Sequence, residues 1–234
     1  MAVIDEKILK KIEDGRQFRR NDLHPEFRAL DQEAGSEDMI VEGHATTFDE
    51  EYLLFSYDNW EGYRVSIYEK MSRDAFNDTD MSDVIFLYDH TGRVMARNRN
   101  DTMTVQTDNT GLFVRANLKN SDLGPGLYRD IKNGFVDRMS IQFTIAEISR
   151  EEIRNDEDRT LKVVRTITKV GKLYDVSAVG IPANDGTDIS ARSAADGVIR
   201  ELEAERLKEQ KRAREIEQLK LRVKLERNKT HGCQ

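Results

Sequence analysis

The chain has 234 residues, a length that suits one folded domain with tails or at most two small domains. Its formal net charge of -7 argues against nucleic acid as the main partner, because phosphate binding needs a surplus of Lys and Arg. Charged residues make up 35% of the chain, and no run approaches the roughly 20 apolar residues that a membrane span requires.

The opening sequence and the cysteine content indicate the compartment. MAVIDEKILKKIEDG is charged throughout and lacks the apolar stretch of a secretion signal. The single cysteine, Cys233, cannot form an intramolecular disulfide, so an oxidising compartment offers this chain no gain in stability. We therefore expect a soluble intracellular protein.

Residues 1–35 are dominated by charged side chains, and Ile8, Ile12 and Phe18 give only a weak helical spacing. Such a composition is typical of a solvated segment, so we predict a charged and mobile N-terminal arm. From Met39 the apolar residues become dense enough to fill a core, and the main folded domain is predicted to span residues 36–193.

Short strands are predicted in the first part of this domain. Alternating polarity in MIVEGHATTF (39–48) predicts a strand with one solvated face, and YRVSIYE (63–69) and DVIFLYDH (83–90) predict two more. Between the last two, SRDAFND (72–78) is predicted to form a short helix with Ser72 as its N-cap.

The second part continues with a hairpin, a helix and two long strands. MTVQTDNTGLFVRANL (103–118) contains two alternating runs around turn residues, which predicts a β-hairpin. A short helix follows, with Pro125 near its start and Gly134 as its C-terminal cap. RMSIQFTIAEI and LKVVRTITKVGKLYDVSAVGIPA are predicted strands, joined by the exposed loop REEIRNDEDRT. This order predicts a mainly β (α+β) fold, a closed antiparallel β-barrel flanked by short helices.

The last segment, residues 194–234, has a different composition. It contains no proline and is rich in Glu, Lys, Arg and Leu, which are good helix formers. Ile199, Leu202, Ile216 and Leu219 fall roughly on one helical face. We predict a charged helical or coiled-coil tail that associates with a partner or with itself and is a candidate for removal by processing.

His90 is the histidine best placed for chemistry. It ends the apolar strand VIFLYDH and is followed at once by Thr91 and Gly92, which are predicted to form a turn. A strand end holds a side chain rigidly and leaves it open to substrate. His44 is interpreted as a partly buried strand residue. His24 and His231 lie in the charged tails, where a base could not be held.

Ser140 and Asp175 complete a candidate set with His90. Both stand in apolar surroundings, and a carboxylate such as Asp175 needs a partner there because burying it unpaired is costly. A serine hydroxyl becomes a good nucleophile only beside a base that a third group orients. The residue types allow this arrangement without proving it, and taken singly, Ser140 has the alternative of a structural role.

Other catalytic motifs are absent from the sequence. There is no Walker loop, no GxSxG elbow, no HExxH and no CxxC pair. No spacing of carboxylates suggests a metal site or a glycosidase pair, and Cys233 lies at the end of the chain beside His231. We therefore predict no metal and no cofactor.

Five segments, in order, resemble the tailed-phage prohead protease family, which is distantly related to the herpesvirus assemblin. They are VEGHATTFD, SRDAFNDT, VIFLYDHTGR, GLFVRANL with LYRDIKNGFVDRMSIQF, and LYDVSAVGIPAND. The resemblance runs from about Met39 to Ser193. The separation of His90 and Ser140 is also similar to that of the family.

The resemblance implies an assemblin-like β-barrel ringed by helices and a serine endopeptidase with His90 as base and Ser140 as nucleophile. Asp175 stands where the family usually has glutamate, and it is the expected third member. Gln142 stands where the family often has glycine, two residues after the serine. Backbone N–H groups near Ser140 are the expected oxyanion donors, and Arg138, Ile141 and Gln142 are the candidate oxyanion or substrate residues. For Arg138 the alternative is a solvated strand residue without a catalytic role.

The implied role is maturation of the capsid during phage assembly. The expected substrates and partners are the scaffolding protein or the scaffold domain of the major capsid protein, the protease itself, and the portal protein. Self-association is expected, with no membrane and no specific nucleic acid as partner. The implied location is the host cell cytoplasm, inside the assembling prohead.

Two alternatives belong to other functional classes. The chain could be a catalytically inactive relative that acts as an internal scaffold or assembly protein, which the charged tail and the departures at Asp175 and Gln142 would suit. It could also be a β-rich binding module with a coiled-coil dimerisation tail. Either alternative predicts that Ser140 and His90 are far apart or unreactive.

Overall fold

The computed structural model describes residues 16–21, 27–59, 61–180 and 215. Contacts divide the chain into two units, Met1–Ala191 and Arg192–Gln234, and all described residues except Glu215 belong to the first. The predicted tail therefore lies almost entirely outside the described residues, as does most of the predicted N-terminal arm. His24, His231 and Cys233 lie outside them too.

Most described residues belong to β-strands. The strands are β1 (Arg16–Asn21), β2 (Arg28–Ala29), β3 (Ile40–Thr47), β4 (Tyr52–Asp58), β5 (Arg64–Met71), β6 (Ile85–Tyr88), β7 (Thr91–Arg97), β8 (Met103–Thr107), β9 (Gly111–Asn117), β10 (Arg138–Asn155) and β11 (Thr160–Val179). One α-helix, α1 (Gly124–Lys132), and a 3-10 turn at Asn98–Asn100 complete the elements within the described ranges. No helix among them is long and apolar enough to cross a membrane.

The strands form two sheets. The seven-stranded sheet has the order β1-β10-β11-β5-β4, and β6 also pairs with β11 and carries β7 on its other side. The four-stranded sheet has the order β2-β3-β9-β8. A single hydrophobic cluster contains buried residues of both sheets, among them Val41 and Val114 from the smaller sheet and Ile141 and Val176 from the larger.

The prediction of a mainly β fold is confirmed, but the prediction of a closed barrel is wrong. Neither sheet closes within the described residues. The reason lies in β11, which is long enough to pair with two strands on the same side. Its first part, Thr160 to Ile167, runs parallel to β5, and its last part, Asp175 to Ala178, runs parallel to β6. The larger sheet therefore branches along β11 instead of curling back on itself.

The predicted helix at residues 72–78 is also wrong. The segment forms successive turns in which the amides of Ala75, Asn77 and Thr79 each bond to the carbonyl three residues earlier. The Ala75 carbonyl accepts instead from the amide of Val170 in β11, at 2.8 Å. This contact with the sheet takes the acceptor that a continuing helix would need for its own hydrogen bond.

The predicted hairpin at residues 103–118 and the helix that follows it are confirmed. β8 and β9 pair antiparallel around residues 108–110. Helix α1 has Pro125 in its first turn, where a missing N–H costs nothing. The Gly134 amide bonds to the Ile131 carbonyl with a φ of 73°, a left-handed conformation that glycine adopts without strain.

The first of the two long strands near the end of the described region extends further than predicted. β10 continues through most of the charged segment that was predicted to be a loop, and the connection to β11 is only residues 156–159. Strand β1 is a further difference, because it lies within the segment predicted as a mobile arm and pairs antiparallel with β10.

Candidate active site

Ser140, His90 and Asp175 form a hydrogen-bonded chain, here called the triad. The Ser140 hydroxyl oxygen lies 2.6 Å from His90 Nε2, and His90 Nδ1 lies 2.6 Å from Asp175 Oδ1. Because a carboxylate only accepts, Nδ1 carries the hydrogen and Nε2 is left as the acceptor for the Ser140 hydroxyl. This is the arrangement in which an imidazole can take a proton from serine.

Three neighbouring strands of the larger sheet bring the triad together. In the β10–β11 pairing Ser140 lies opposite Ser177, and in the β11–β6 pairing Ser177 lies opposite Leu87. The strands that carry Ser140 and Asp175, and the strand that leads to His90, therefore lie side by side. Asp175 is two residues before Ser177, so the two side chains share one face of β11.

His90 sits in a tight turn that fixes its direction. Tyr88 and Thr91 pair at the ends of β6 and β7, so Asp89 and His90 form a two-residue loop. Their φ values of 47° and 56° lie in the left-handed region that such hairpin turns require. The turn therefore lies two residues earlier than the predicted turn at Thr91 and Gly92, and it includes His90 itself. Side chains other than glycine hold this conformation at a cost of about 1–3 kcal/mol each, which the surrounding contacts must offset.

Hydrogen bonds from β11 hold this turn and its carboxylate partner. The Asp89 amide bonds to the Ala178 carbonyl at 3.0 Å. Ser177 Oγ donates to Asp175 Oδ1 at 2.8 Å and lies 3.1 Å from His90 Nδ1. Ser177 was not singled out from the sequence, although its spacing of two residues from Asp175 on a strand was a usable signal.

The triad is shielded from solvent. Ser140 is 4% exposed and Asp175 is 1% exposed, whereas the His90 side chain is 11% exposed. Electrostatic interactions are stronger in such surroundings than in water, so the carboxylate can stabilise a positive charge on the imidazole.

The Ser140 hydroxyl has a second partner, the backbone carbonyl of Arg19 in β1, at 3.1 Å. A hydroxyl has one hydrogen, so it donates either to His90 or to this carbonyl at any moment. β1 pairs with β10 so that Arg20 lies opposite Ser140. The backbone of β1 therefore lies directly beside Ser140 in the sheet.

The Arg19 side chain ends in a buried ion pair that the sequence analysis missed. Its Nε donates to Glu69 Oε1 and its Nη2 to Glu69 Oε2, the second at 3.0 Å, while Tyr52 Oη donates to Oε1 at 2.7 Å. Burial alone would raise the pKa of Glu69, but the Arg19 guanidinium outweighs it and holds that pKa below its usual value. Burial, followed by the charge of Glu69, raises the pKa of Tyr52.

The alternation of apolar and polar residues along β5 could have identified Glu69 as a buried carboxylate. Val65, Ile67, Glu69 and Met71 occupy every second position, and all four are buried. A carboxylate at an otherwise apolar inward position must have a partner, because burying it unpaired is costly.

The other candidate site residues surround Ser140 along β10. Arg138 begins the strand, has a partly exposed side chain and lies 3.7 Å from Asp137. Ile141 is fully buried and belongs to the core. Gln142 is 1% exposed, and its Nε2 has no hydrogen-bond partner among the described residues.

His44 does not join the triad. It lies on β3 in the smaller sheet, where its Nε2 is 2.8 Å from Asp108 Oδ2 and its ring contacts Phe113 edge-on. Within the described residues, no group of three or more His, Cys, Asp or Glu is placed to hold a metal ion. The separation of 2.6 Å between Ser140 and His90 rules out an arrangement in which these two residues are far apart.

Comparison with known proteins gives one match. The family model described as caudovirus prohead serine protease matches residues 26–200, a range that contains the whole triad as well as Glu69 and Tyr52. Strand β1 precedes the matched range. Searches against curated proteins and against solved structures found no significant match.

Proposed function

Because the chain belongs to the caudovirus prohead serine protease family, whose role is capsid maturation, we propose that it is an active endopeptidase with Ser140 as its nucleophile. His90 is the general base and Asp175 orients it. The observation that carries this proposal is the continuous hydrogen-bonded chain from Ser140 Oγ through both ring nitrogens of His90 to Asp175.

The first half of the reaction forms an acyl-enzyme. His90 Nε2 takes the hydroxyl proton as Ser140 Oγ attacks the scissile carbonyl carbon. Asp175 accepts a hydrogen bond from Nδ1 and stabilises the imidazolium that results. His90 then delivers the proton to the leaving nitrogen as the peptide bond breaks.

The second half restores the enzyme. His90 takes a proton from a water molecule, which attacks the ester carbonyl, and returns it to Ser140 Oγ as the acid product leaves. Ser177 supports both halves, because its donation to Asp175 helps to fix the carboxylate that orients the imidazole.

We assign stabilisation of the oxyanion to the segment of β10 around the nucleophile. The candidates are the backbone N–H groups near Ser140, including that of Ile141, together with the side chains of Arg138 and Gln142. The buried amide nitrogen of Gln142 supports this choice: it is two residues from Ser140 on the same face of the strand and has no partner among the described residues.

The substrates that we propose are the scaffolding protein or the scaffold domain of the major capsid protein, and the protease itself. The enzyme would act inside the assembling prohead in the host cytoplasm, in contact with the capsid, scaffold and portal proteins and with other copies of itself. Residues 194–234, whose sequence predicts a helical tail, would bind the scaffold, bring the enzyme there and then be removed by cleavage.

Co-expression with the capsid and scaffold proteins of the same phage tests the proposal. The wild type should cleave them, whereas Ser140→Ala should lose about 10⁶-fold in kcat and leave them whole by mass spectrometry. Ser149→Ala is the matched control, because it removes an exposed serine from the same strand. Cleavage by Ser140→Ala at the wild-type rate would sink the proposal.

A further inference from the structure

Strand β1 lies along the edge of β10 that carries Ser140. It pairs antiparallel with β10, and Arg19 and Arg20 lie opposite Ile141 and Ser140. The other edge of β10 pairs with β11 over these same residues. β1 therefore covers the one remaining edge of β10 beside the nucleophile, and adding a strand to such an edge is a common way of binding an extended peptide.

The backbone of Arg19 is within reach of the nucleophile. Ser140 Oγ lies 3.1 Å from the Arg19 carbonyl oxygen, so the carbonyl carbon, bonded at about 1.23 Å, is no more than about 4.3 Å from Oγ. His90 Nε2 lies 2.6 Å from the same Oγ. The Arg19 carbonyl, and with it the Arg19–Arg20 peptide bond, therefore lies beside Ser140, and attack requires this carbonyl to turn so that its carbon faces Oγ.

The side chain of Arg19 fills a pocket that matches arginine. Its guanidinium makes a two-point contact with the carboxylate of Glu69, which Tyr52 also contacts. Arg19 is 5% exposed and Glu69 is 0% exposed. The planar, forked guanidinium fits a carboxylate in this way, whereas the ammonium of a lysine does not.

Burial makes this contact selective. A neutral side chain in the place of Arg19 would leave the Glu69 carboxylate without its two-point partner in a site closed to water, which is costly. Arg165 lies opposite Glu69 on β11 and also lowers the pKa of Glu69, but the contact with Arg19 has the larger effect on that pKa. A site built around a buried polar group strongly rejects an analogue that cannot bond to it.

From these contacts we infer that the enzyme cleaves on the carboxyl side of arginine, that Glu69 selects this residue, and that the Arg19–Arg20 bond is an intramolecular substrate. The inference rests on the proposed function and adds its specificity. The family match begins at residue 26, so the triad and Glu69 lie within the matched domain and β1 lies outside it.

The step is a hydrolysis and needs only water as co-reactant. Ser140 Oγ bonds to the Arg19 carbonyl carbon, the bond from this carbon to the Arg20 nitrogen breaks, and His90 delivers the serine proton to that nitrogen. Water then hydrolyses the ester. The products are a fragment ending in the Arg19 carboxylate and a chain beginning with the Arg20 amine.

Self-cleavage of the full chain is the first test. Mass spectrometry and N-terminal sequencing of the wild type should give fragments 1–19 and 20–234, at a rate that does not depend on protein concentration. Arg19→Gln should lower this rate about 100-fold or more. Arg28→Gln is the matched control, since Arg28 is an exposed arginine outside β1, and it should cleave at the wild-type rate.

Two peptides added to the wild type give a second test. One peptide copies residues 14–24, and its partner has citrulline, a neutral analogue of arginine, at position 19. The arginine peptide should have a kcat/KM about 100-fold higher or more. Glu69→Gln should remove most of this preference, with circular dichroism as the check of its fold.

The outcomes separate this inference from the proposed function. Cleavage that depends on Ser140 but falls at other bonds, or treats the two peptides alike, overturns the arginine specificity and leaves the protease proposal standing. A wild type that stays whole while it cleaves capsid proteins overturns the intramolecular substrate. Cleavage that does not depend on Ser140 overturns both proposals.

Discussion

Asp175→Asn tests the orienting role of the carboxylate. In the wild type, Asp175 Oδ1 accepts from His90 Nδ1 at 2.6 Å, so Nε2 is the acceptor for the Ser140 proton. An amide can present its NH₂ group to Nδ1 instead, which favours the tautomer that carries its hydrogen on Nε2. In that tautomer the imidazole cannot act as the base for Ser140.

The expected size of the effect depends on the burial of Asp175 and on the nearby hydroxyl of Ser177. Asp175 is 1% exposed, so no solvent replaces its charge, and the same substitution in an unrelated serine protease lowers kcat by about 10⁴-fold. Ser177 Oγ, 3.1 Å from Nδ1, can still accept from the ring and recover part of the loss. We expect kcat to fall about 10³- to 10⁴-fold, or about 4–5.5 kcal/mol of transition-state stabilisation.

The assay compares initial rates of cleavage of the capsid and scaffold proteins by the wild type and the variant. Asp137→Asn is the matched control, because it makes the same change at a carboxylate whose side chain is 54% exposed, just before β10. Thermal unfolding shows whether each variant is folded. A folded Asp175→Asn enzyme that loses less than tenfold in kcat would show that another group orients His90.

Three further substitutions test neighbouring parts of the structure. Ser177→Ala removes the hydroxyl that donates to the triad carboxylate and should lower kcat about tenfold, an effect of about 1.4 kcal/mol in the same cleavage assay. Glu69 has a lowered pKa in the folded state, so its charge stabilises the fold above its unfolded pKa, and this contribution is lost as pH falls through the folded pKa. The unfolding free energy of the wild type should therefore fall more between pH of about 7 and about 4 than that of Glu69→Gln, as measured by urea unfolding at the two pH values. An equal fall in both proteins would show that the ion pair of Glu69 with Arg19 does not stabilise the fold. Gly124→Ala would place its Cβ 1.9 Å from a backbone carbonyl oxygen and should cost about 1–3 kcal/mol in stability, whereas Gly126→Ala in the same helix meets nothing within 4 Å; equal melting temperatures for the two variants would contradict this.

The three residues of the hydrogen-bonded chain could be singled out from the sequence because each carries a local signal. His90 ends an apolar strand, Ser140 and Asp175 stand in apolar runs, and five motifs in the right order added the roles. What the sequence could not supply is the pairing of β6 with β11 and of β11 with β10, which brings the three residues together. The alternation of apolar residues shows which face of a strand is buried, but it does not show which strands pair with each other.

The incorrect predictions have the same physical origin in long-range contacts. Residues 72–78 have good local helix signals, yet the amide of Val170 takes the Ala75 carbonyl and the segment forms turns. The barrel was expected from the number of strands, whereas the branch at β11 decides that the sheet stays open. Glu69 was visible as a carboxylate among inward apolar residues, but its partner Arg19 is fifty residues away on a separate strand.

The position of β1 affects both the pairing of the β10 edge and access to Ser140. An uncovered strand edge exposes unpaired N–H and C=O groups and invites pairing with other chains. While β1 is in place, it pairs with this edge of β10 beside Ser140, which is 4% exposed. If cleavage after Arg19 releases the segment that precedes Arg20, the edge and the Glu69 pocket become available together. The groups that held β1 are then the groups that bind the next extended chain, so a single cut would both expose the site and define what it accepts.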